Sequence, residues 1–277
     1  GPTGDPSSIP VAELDADFDA IVLAGGATNW RDLPIPGREL DGIHQAMEYL
    51  PLATNVQLGD LDQSPITAAG KRVVIIGGGD TGADCLGTAH RQGALSIHQF
   101  EIMDRPPDQR SESTPWPTYP LVFRVSSAHE EGGDRWYAVN TTEFVGENGK
   151  LTKLRGVKVQ GPPSFDPVHD SEFELEVDMV FLAMGFVGPE HDGVVAQLGA
   201  QLDARGNVER DANWQVSGPT GPAAAGKVFA CGDMGRGQSL IVWAIAEGRS
   251  CAAGVDRALM GSTLLPSPVR PTDRPLV

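Results

Sequence analysis

The sequence is poor in cysteine. Its three cysteines, Cys85, Cys231 and Cys251, lie far apart and form no CxxC pair. This spacing argues against a disulfide framework, a zinc site, a local redox dithiol or an iron–sulfur site within the chain. Each cysteine is expected to be a small buried residue, and a reducing cytoplasmic location is the expectation that follows.

Positive charge and long apolar runs are also scarce. Lysine and arginine number 21 against 37 acidic residues, which gives a net charge of −16. Such a surface repels nucleic acid and anionic membranes, so neither is expected as a partner. No stretch approaches the roughly 20 apolar residues of a membrane span. No metal is expected, because no ligand spacing is present among the histidines, which are His44, His90, His98, His129, His169 and His191.

A strand, a glycine turn and a helix follow one another from Lys71 to Thr88. The β-branched run 73–76 leads directly into GGGDTG at 77–82, and a helix-compatible stretch follows. Gly77, Gly79 and Gly82 occupy the positions of a GxGxxG dinucleotide fingerprint. The first glycine permits the tight turn, the second lets a pyrophosphate approach the backbone, and the third lets the helix pack on the strand. The alternative is an ordinary strand–helix turn without a ligand.

An acidic residue closes the next predicted strand, 95–100. Glu101 lies 24 positions after Gly77, near the ~20-residue offset at which a carboxylate accepts from the adenosine ribose. A carboxylate there repels the 2′-phosphate of NADPH, so the sequence favours NADH. Arg105 and Arg110 follow closely and would instead suit a phosphate, which leaves NADPH open.

Two other predicted strands end in glycine, at Gly25-Gly26 and at Gly232-Asp233. Ligands of open parallel sheets sit beyond the carboxyl ends of strands. A carboxylate at 233 can accept from a ribityl hydroxyl, and a long helix predicted over 238–260 would offer N-terminal amides to a flavin edge. The alternative is a turn acid that caps a structural helix.

The remaining segments carry weaker signals. The spacing of Ile43, Met47 and Leu50 predicts a helix that Pro51 ends. Residues 104–120 form a long proline-rich loop, and 121–129 fits a helix or a strand. Strands over 136–145 and 151–159 are expected to form a hairpin at Asn148-Gly149. The tail from Ser262 is expected to be mobile or to dock on a partner.

Five segments together resemble one family, the NAD(P)H-oxidising small (beta) subunit of glutamate synthase in its actinobacterial form. They are AIVLAGGATNWRDLPIPGRELDGIHQAMEYL, VVIIGGGDTGADCLGTAHRQGA, HQFEIMDRPPDQRSESTPWPTYPL, VFLAMGFVGPE and CGDMGRGQSLIVWAIAEGR. The resemblance implies an α/β fold in which a Rossmann-like NAD(P)H-binding domain is inserted into a partial FAD-binding domain. The expected boundaries are 1–62 and 185–262 for the partial FAD-binding domain, 63–184 for the inserted domain, and 263–277 for a C-terminal tail.

The resemblance also implies roles for individual residues. The NAD(P)H-binding positions would be Gly77, Gly78, Gly79, Asp80, Thr81, Gly82, Glu101, Arg105 and Gly185. The FAD-binding positions would be Ala24, Gly25, Gly26, Gly232, Asp233, Gln238, Ser239 and Leu240. Glu247 is a candidate near the nicotinamide. The family's cysteine-rich iron–sulfur region and its first GxGxxG have no counterpart here, so the chain resembles the C-terminal portion and is expected to hold FAD weakly or not at all.

The activity implied by the resemblance is hydride transfer from NADH to FAD. Electrons would pass through iron–sulfur clusters to the large subunit, the expected partner, which forms glutamate from glutamine and 2-oxoglutarate. One alternative is a related flavin reductase with another acceptor. Another is a nucleotide-binding and subunit-docking module without turnover of its own.

Overall fold

A computed structural model describes residues 9–219 and 226–274 of the chain. It divides into two compact units. The mid-chain unit runs from Arg31 to Gly185, and the flanking unit joins the described residues up to Trp30 to those from Phe186 onward. The chain therefore begins in the flanking unit, forms the mid-chain unit and then returns to the flanking unit.

The described residues form helices and strands of ordinary length. The helices are α1 (Val11–Asp17), α2 (Ala46–Leu58), α3 (Asp80–Arg91), α4 (Ser127–Glu130), α5 (Val194–Leu198), α6 (Asp233–Arg236) and α7 (Ile241–Met260). The strands are β1 (Ile21–Leu23), β2 (Asn29–Trp30), β3 (Ile43–Gln45), β4 (Arg72–Ile76), β5 (Ser96–Glu101), β6 (Asp134–Tyr137), β7 (Val139–Glu147), β8 (Lys150–Val159), β9 (Pro167–Glu176), β10 (Met179–Leu182), β11 (Phe186–Gly188) and β12 (Val228–Ala230). In the described residues no helix is both long and apolar enough to cross a membrane.

The mid-chain unit is built on a five-stranded parallel sheet of order β3-β10-β4-β5-β6. Strand β4, helix α3 and strand β5 form the βαβ unit that the glycine pattern predicted. Alternate side chains of β4 enter different cores. Val73 and Ile75 pack with Leu86 of α3, whereas Val74 packs with Phe144 and Leu154 of a three-stranded antiparallel sheet, β7-β8-β9. The result is helix, parallel sheet and antiparallel sheet in three layers, which confirms the predicted α/β fold class.

The predicted hairpin is present, but its first strand is divided. Asn148 and Gly149 turn with φ of 53° and 79° between β7 and β8, as an Asn-Gly hairpin requires. The predicted strand 136–145 breaks at Ala138, whose φ of 53° turns the chain. Its first part, β6, therefore joins the parallel sheet, and the second, β7, joins the antiparallel sheet.

The mid-chain unit starts at Arg31, whereas the sequence placed the inserted domain at 63–184. The reason is that β3 pairs with β10 of the parallel sheet and α2 packs beside it. The prediction that Pro51 ends this helix is wrong. A capping box between Gln45 and Glu48 starts α2 at Ala46, and Pro51 lies inside the helix. Burial of Tyr49, stacked on Phe181 at 4.0 Å, holds the helix despite the missing amide.

In the flanking unit β1 and β12 form a parallel pair, in register Ile21 with Val228. Their buried side chains pack with those of α5, and Met234 of α6 joins the same core. The prediction of a helix over 238–260 is corrected by the structure. A short helix, α6, ends at Arg236, and α7 begins only at Ile241.

The described part of the C-terminal tail packs on the flanking unit. The backbone nitrogen of Val269 donates to Ser250 Oγ of α7 at 3.1 Å, and Arg236 donates to the carbonyl of Asp273 at 2.9 Å. Val269 also contacts the core around Trp214. The described part of the tail is therefore held on α6 and α7 at these two points.

Candidate coenzyme-binding turn

The glycine turn joins β4 to α3 in a conformation that two of its glycines make possible. Gly77 has φ +130°, and a Cβ there would overlap the carbonyl of Ala183, which directly follows neighbouring β10. A Cβ on Gly82 would overlap the carbonyl oxygen of Gly77 and lie 2.6 Å from Gln99 Nε2. The turn and the close approach of α3 to the sheet therefore need glycine at both positions.

The third fingerprint glycine leaves space instead of filling it. Gly79 is the N-cap of α3, with no side-chain cap, and no described atom lies within 4 Å of the place that a Cβ would take. Gly78, Gly79 and Asp80 are exposed. The start of α3 thus presents helix N-terminal amides to solvent, and such amides with the helix dipole favour an anion such as a pyrophosphate. Asp80 and Thr81 lie in this first turn.

Glu101 lies beside the turn at the end of β5. Its Oε2 accepts from the backbone nitrogen of Gly78 at 3.0 Å, and its Oε1 accepts from that of Met103 at 2.9 Å. These two bonds hold the carboxylate against the glycine turn. The acidic residue that the sequence singled out is therefore at the turn, as its spacing predicted.

A cavity of about 530 Å³ opens from the turn, within the usual range for small-molecule sites. Gly78, Gly79 and Asp80 line one side of it, and the two ends of the proline-rich segment, 103–107 and 119–124, line the other. The long loop that the sequence predicted is thus a wall of this cavity. The residues 121–126 that fitted a helix or a strand form neither, and only Ser127–Glu130 is helical.

The two arginines that the sequence singled out make different contacts on this wall. Arg105 lines the cavity, pairs with Asp108 at 2.7 Å, and lies 4.0 Å from the centre of the Phe123 ring. Arg110 donates to the carbonyls of Thr114 and Thr118. Arg110 therefore stabilises the loop, and Arg105 remains the candidate for a phosphate.

Gly185 follows β10, the neighbour of β4, so it lies beyond the same edge of the sheet as Gly77. Its φ is +80°, and its carbonyl accepts from the backbone nitrogen of Arg31 at 2.9 Å. No described atom lies within 4 Å of its Cβ position. The backbone at Gly185 is therefore open on the side where a Cβ would lie.

The structure brings together the two glycine-terminated strands of the flanking unit. The backbone nitrogen of Cys231 donates to Leu23 at 3.1 Å, so Ala24-Gly25-Gly26 and Gly232-Asp233 leave adjacent strand ends. Gly26, at φ +78°, has open space at its Cβ position, and Gly25 has only the Met234 methyl at 3.1 Å. This is the strand edge at which the sequence placed FAD-binding residues.

The three residues 238–240 precede the helix that they were expected to start. Ser239 Oγ donates to Asp233 Oδ1 at 2.6 Å, and Gln238 donates to the carbonyl of Phe186. Leu240 is the N-cap of α7 and is exposed. Exposure continues along the first turns of α7, at Ile241, Val242 and Ile245.

The placement of Glu247 does not fit the role expected for it. Its side chain is fully buried and pairs with Arg210 at 2.9 Å and Arg236 at 2.7 Å, and both guanidiniums are also buried. The backbone nitrogen of Gly232 donates to it at 2.8 Å. With no exposed surface and both oxygens engaged, Glu247 anchors the turn after β12 and does not face a nicotinamide ring.

The cysteines are buried, as the sequence predicted. Burial raises the pKa of the Cys85 thiol to about 12.

Sequence reasoning missed Gln99 and His129, which bond to each other beside the glycine turn. The available signal was a glutamine within the strand LSIHQF, since a buried polar side chain needs partners.

Comparison with known proteins identifies the relatives of this chain. A family profile described as pyridine nucleotide-disulphide oxidoreductase matches residues 7–248. The glutamate synthase [NADPH] small chain of Mycobacterium tuberculosis H37Rv is 63% identical over 274 residues, 97% of this chain and 55% of that protein. The glutamate synthase [NADH] of Saccharomyces cerevisiae is 43% identical over 94% of this chain and 12% of its own length. The chain thus spans about half of the bacterial relative.

Solved structures share the fold at low sequence identity. FprA of Mycobacterium tuberculosis in complex with NADPH superposes with a TM-score of 0.65 at 14% identity, over 91% of this chain and 66% of that one. The thioredoxin reductase of T. acidophilum gives 0.55 at 19% identity, over 87% and 66%. The resemblance seen in the sequence is confirmed by the relatives, and the chain belongs to the pyridine nucleotide-disulphide oxidoreductase family.

Proposed function

We propose that the mid-chain unit binds a nicotinamide coenzyme by its diphosphate at the start of α3. The observation that carries this is the open turn: Gly79 has free space at its Cβ position, and the helix has no side-chain cap. Backbone amides there would hold the diphosphate, with Gly77, Gly78, Gly79, Asp80, Thr81 and Gly82 as the binding segment. The adjoining cavity offers room for the adenosine part, and Gly185 would lie toward the other end. When bound, the coenzyme supplies a hydride.

The preferred coenzyme in this proposal is NADH. Six charged groups line the cavity, three acidic (Asp80, Glu101, Asp104) and three basic (Arg105, Arg124, Arg135). Of these, Glu101 is hydrogen-bonded to the glycine turn itself, where the ribose of a coenzyme held by that turn would lie. A carboxylate at that place accepts from a ribose hydroxyl and repels a 2′-phosphate. Arg105 is the group that would favour NADPH instead.

The flanking unit fits FAD only in part. The backbone at Gly25 and Gly26 is accessible, but the amide of Gly232 already donates to Glu247, and one oxygen of Asp233 accepts from Ser239. The GxGxxG of this sequence belongs to the mid-chain unit, so the described residues of the flanking unit offer no such turn for the FAD diphosphate. Ala24, Gly25, Gly26, Gly232, Asp233, Gln238, Ser239 and Leu240 would touch FAD, yet this chain alone would hold it weakly or not at all.

For the complete protein we propose the reductase half of glutamate synthase. Support comes from the names of the bacterial and yeast relatives and from the identity to them across nearly the whole chain. In this proposal electrons from the coenzyme pass through FAD and iron–sulfur clusters, which lie outside this chain, to the large subunit in the cytoplasm. Glutamine and 2-oxoglutarate are then the substrates of that partner.

Calorimetric titration of the chain with NADH and with NADPH tests coenzyme binding. We expect binding of both with NADH tighter, and a smaller preference in Glu101→Ala. Arg105→Ala is the matched variant and should weaken NADPH more than NADH. Absence of binding of either coenzyme would refute the proposed site, and tighter NADPH binding by the unaltered chain would refute the role of Glu101.

The visible spectrum of the purified chain tests the flavin proposal, since bound FAD absorbs there. We expect substoichiometric flavin, and little NADH–ferricyanide activity until FAD is added. Stoichiometric flavin that survives gel filtration would contradict weak binding. Copurification tests the partner. We expect this chain to be recovered with the large subunit of glutamate synthase, and not from a control purification without that subunit.

A further inference from the structure

Gln99 is a buried polar side chain whose two ends are both engaged. It lies in the middle of β5 and is 2% exposed. Its Nε2 donates to the carbonyl of Gly77 at 2.9 Å, and its Oε1 lies 2.9 Å from His129 Nε2. Because the amide group has one donor end and one acceptor end, this pairing requires His129 Nε2 to be the donor.

The other ring nitrogen of His129 settles the tautomer in the same way. The backbone nitrogen of Ser126 lies 3.2 Å from His129 Nδ1 and can only donate. Nδ1 must therefore be unprotonated, and the ring is neutral with its hydrogen on Nε2. Ser126 and His129 together form the capping box of α4.

These bonds form one directed chain between the two sides of the cavity. It runs from the Ser126 amide through His129 and Gln99 to the Gly77 carbonyl. Ser126 lines the cavity just after the loop wall, and Gly77 directly precedes Gly78 and Gly79, which line its other side. Packing supports the same geometry, since Gln99 Nε2 occupies space directly beside Gly82.

We infer that Gln99 and His129 are positioning residues for coenzyme binding, and that neutral His129 is needed to hold the glycine turn and the loop wall together. This inference rests on the proposed coenzyme site. It adds a dependence of coenzyme affinity on the protonation of His129, which does not itself touch the coenzyme in the proposed site. Loss of the link would free the Gly77 carbonyl and the loop end, so coenzyme affinity would fall without loss of the fold.

The charges around His129 set the pH at which the link breaks. Burial, together with Arg135 of β6, lowers the pKa of His129, whereas Asp80 of α3 raises it. The next residues, Glu130 and Glu131, are also acidic, and Glu131 pairs with Arg91 of α3. A proton on Nδ1 would break the bond from the Ser126 amide, so the loop wall would stay tied to His129 only through Ser126 Oγ, which lies 2.9 Å from Nδ1. We therefore expect affinity to be constant above about pH 6.5 and to fall below it.

The test uses NAD⁺ as the probe, which avoids the acid lability of NADH and the titrating phosphate of NADPH. Its dissociation constant is measured from about pH 8 to about pH 5.5 for the unaltered chain and three variants. His129→Gln keeps a capping-box acceptor for Ser126 but does not titrate. Gln99→Met keeps the shape and removes both bonds. His98→Gln, on the opposite face of the same strand, is the control.

The unaltered chain and His98→Gln should lose affinity roughly five- to tenfold on acidification, the worth of about one hydrogen bond. His129→Gln and Gln99→Met should bind weakly at every pH, with no pH dependence. Affinity that rises in acid would show His129 acting as a cation for the phosphates and would overturn the inference. A pH dependence that survives in His129→Gln would overturn it as well.

The free protein provides an arm that needs no coenzyme. The amide resonance of Gly78 should shift with the titration of His129 in ¹H–¹⁵N spectra, and this shift should vanish in Gln99→Met. Thermal unfolding checks that each variant is folded. If the Gly78 shift follows His129 but no coenzyme binds at pH 8, the proposed function is refuted. If coenzyme binds but the Gly78 shift does not follow His129, this inference is refuted.

Discussion

The carbonyl oxygen of Gly77 fills the place that a Cβ atom on Gly82 would take. This one contact lets α3 start against the end of β4. Gly79, between them, has free space at its Cβ position, with φ −82° and ψ −173°. Gly82 is therefore needed for the packing of the fold, whereas Gly79 leaves space for a ligand.

Alanine at these two positions should separate those needs. Gly82→Ala should destabilise the mid-chain unit by about 1–3 kcal/mol through overpacking. Gly79→Ala should leave the unfolding transition unchanged but lower coenzyme affinity, because its methyl group would stand where the diphosphate approaches the amides. Urea unfolding and calorimetry measure the two effects. Equal loss of stability in both variants would contradict the assignment.

Glu247 should be among the residues on which the flanking unit depends most. Glu247→Gln leaves two buried guanidiniums without a carboxylate, and breaking a buried pair in this way costs about 3–5 kcal/mol. Arg210 and Arg236 lie over Trp214 and Trp243, so tryptophan fluorescence reports the change. Glu209→Gln, at an exposed site, is the control. If Glu247→Gln is as stable as Glu209→Gln, the ion pairs of Glu247 with Arg210 and Arg236 do not contribute to the stability of the fold.

Acid sensitivity should depend on the contact between Arg72 and Asp178, which joins the starts of β4 and β10. Oδ1 of Asp178 accepts from Nη2 at 2.7 Å, and Oδ2 accepts from the backbone nitrogen and from Nε, each at 2.9 Å. Hydrogen bonding to Arg72 lowers the pKa of Asp178.

A carboxylate with a lowered pKa stabilises the fold above its unfolded value, about 3.9, and the contribution is lost as the pH falls through its lower folded value. Asp178→Asn should therefore flatten the fall in stability between about pH 5 and about pH 2.5. Asp170→Asn, at an exposed site, should follow the unaltered chain. Identical acid profiles for both variants would show that the Arg72 contact contributes nothing.

Two glycines of α7 should respond to alanine with opposite signs. Gly248 has free space at its Cβ position, so alanine should stabilise the helix by about 0.5–1 kcal/mol through its higher propensity. A Cβ on Gly254 would lie 2.5 Å from the carbonyl oxygen of Asn213, so Gly254→Ala should destabilise. Thermal unfolding of both variants checks the sign. A loss of stability in Gly248→Ala would contradict the open position.

Local patterns were enough for the parts of this protein whose geometry is set by neighbours in sequence. The run 73–76 followed by glycines could form only a strand and a tight turn, and Asn148-Gly149 could form the hairpin because both residues accept positive φ. The offset from Gly77 to Glu101 follows from the length of one βαβ unit, so it also placed the carboxylate beside the turn.

Long-range contacts decided the rest. Pro51 stays within α2 because Tyr49 is buried against Phe181, a partner more than a hundred residues away. Glu247 was assigned a ligand-facing role because its motif says nothing of Arg210, which arrives from another segment and buries it. The glutamine within the strand LSIHQF indicates a buried polar group but not its partner, and only the packing of β5 against α4 joins Gln99 to His129 beside the glycine turn. The sequence by itself determined the turn and its chemistry, whereas the tertiary structure decided which polar side chains remain free to use it, since burial and pairing depend on segments distant in the chain.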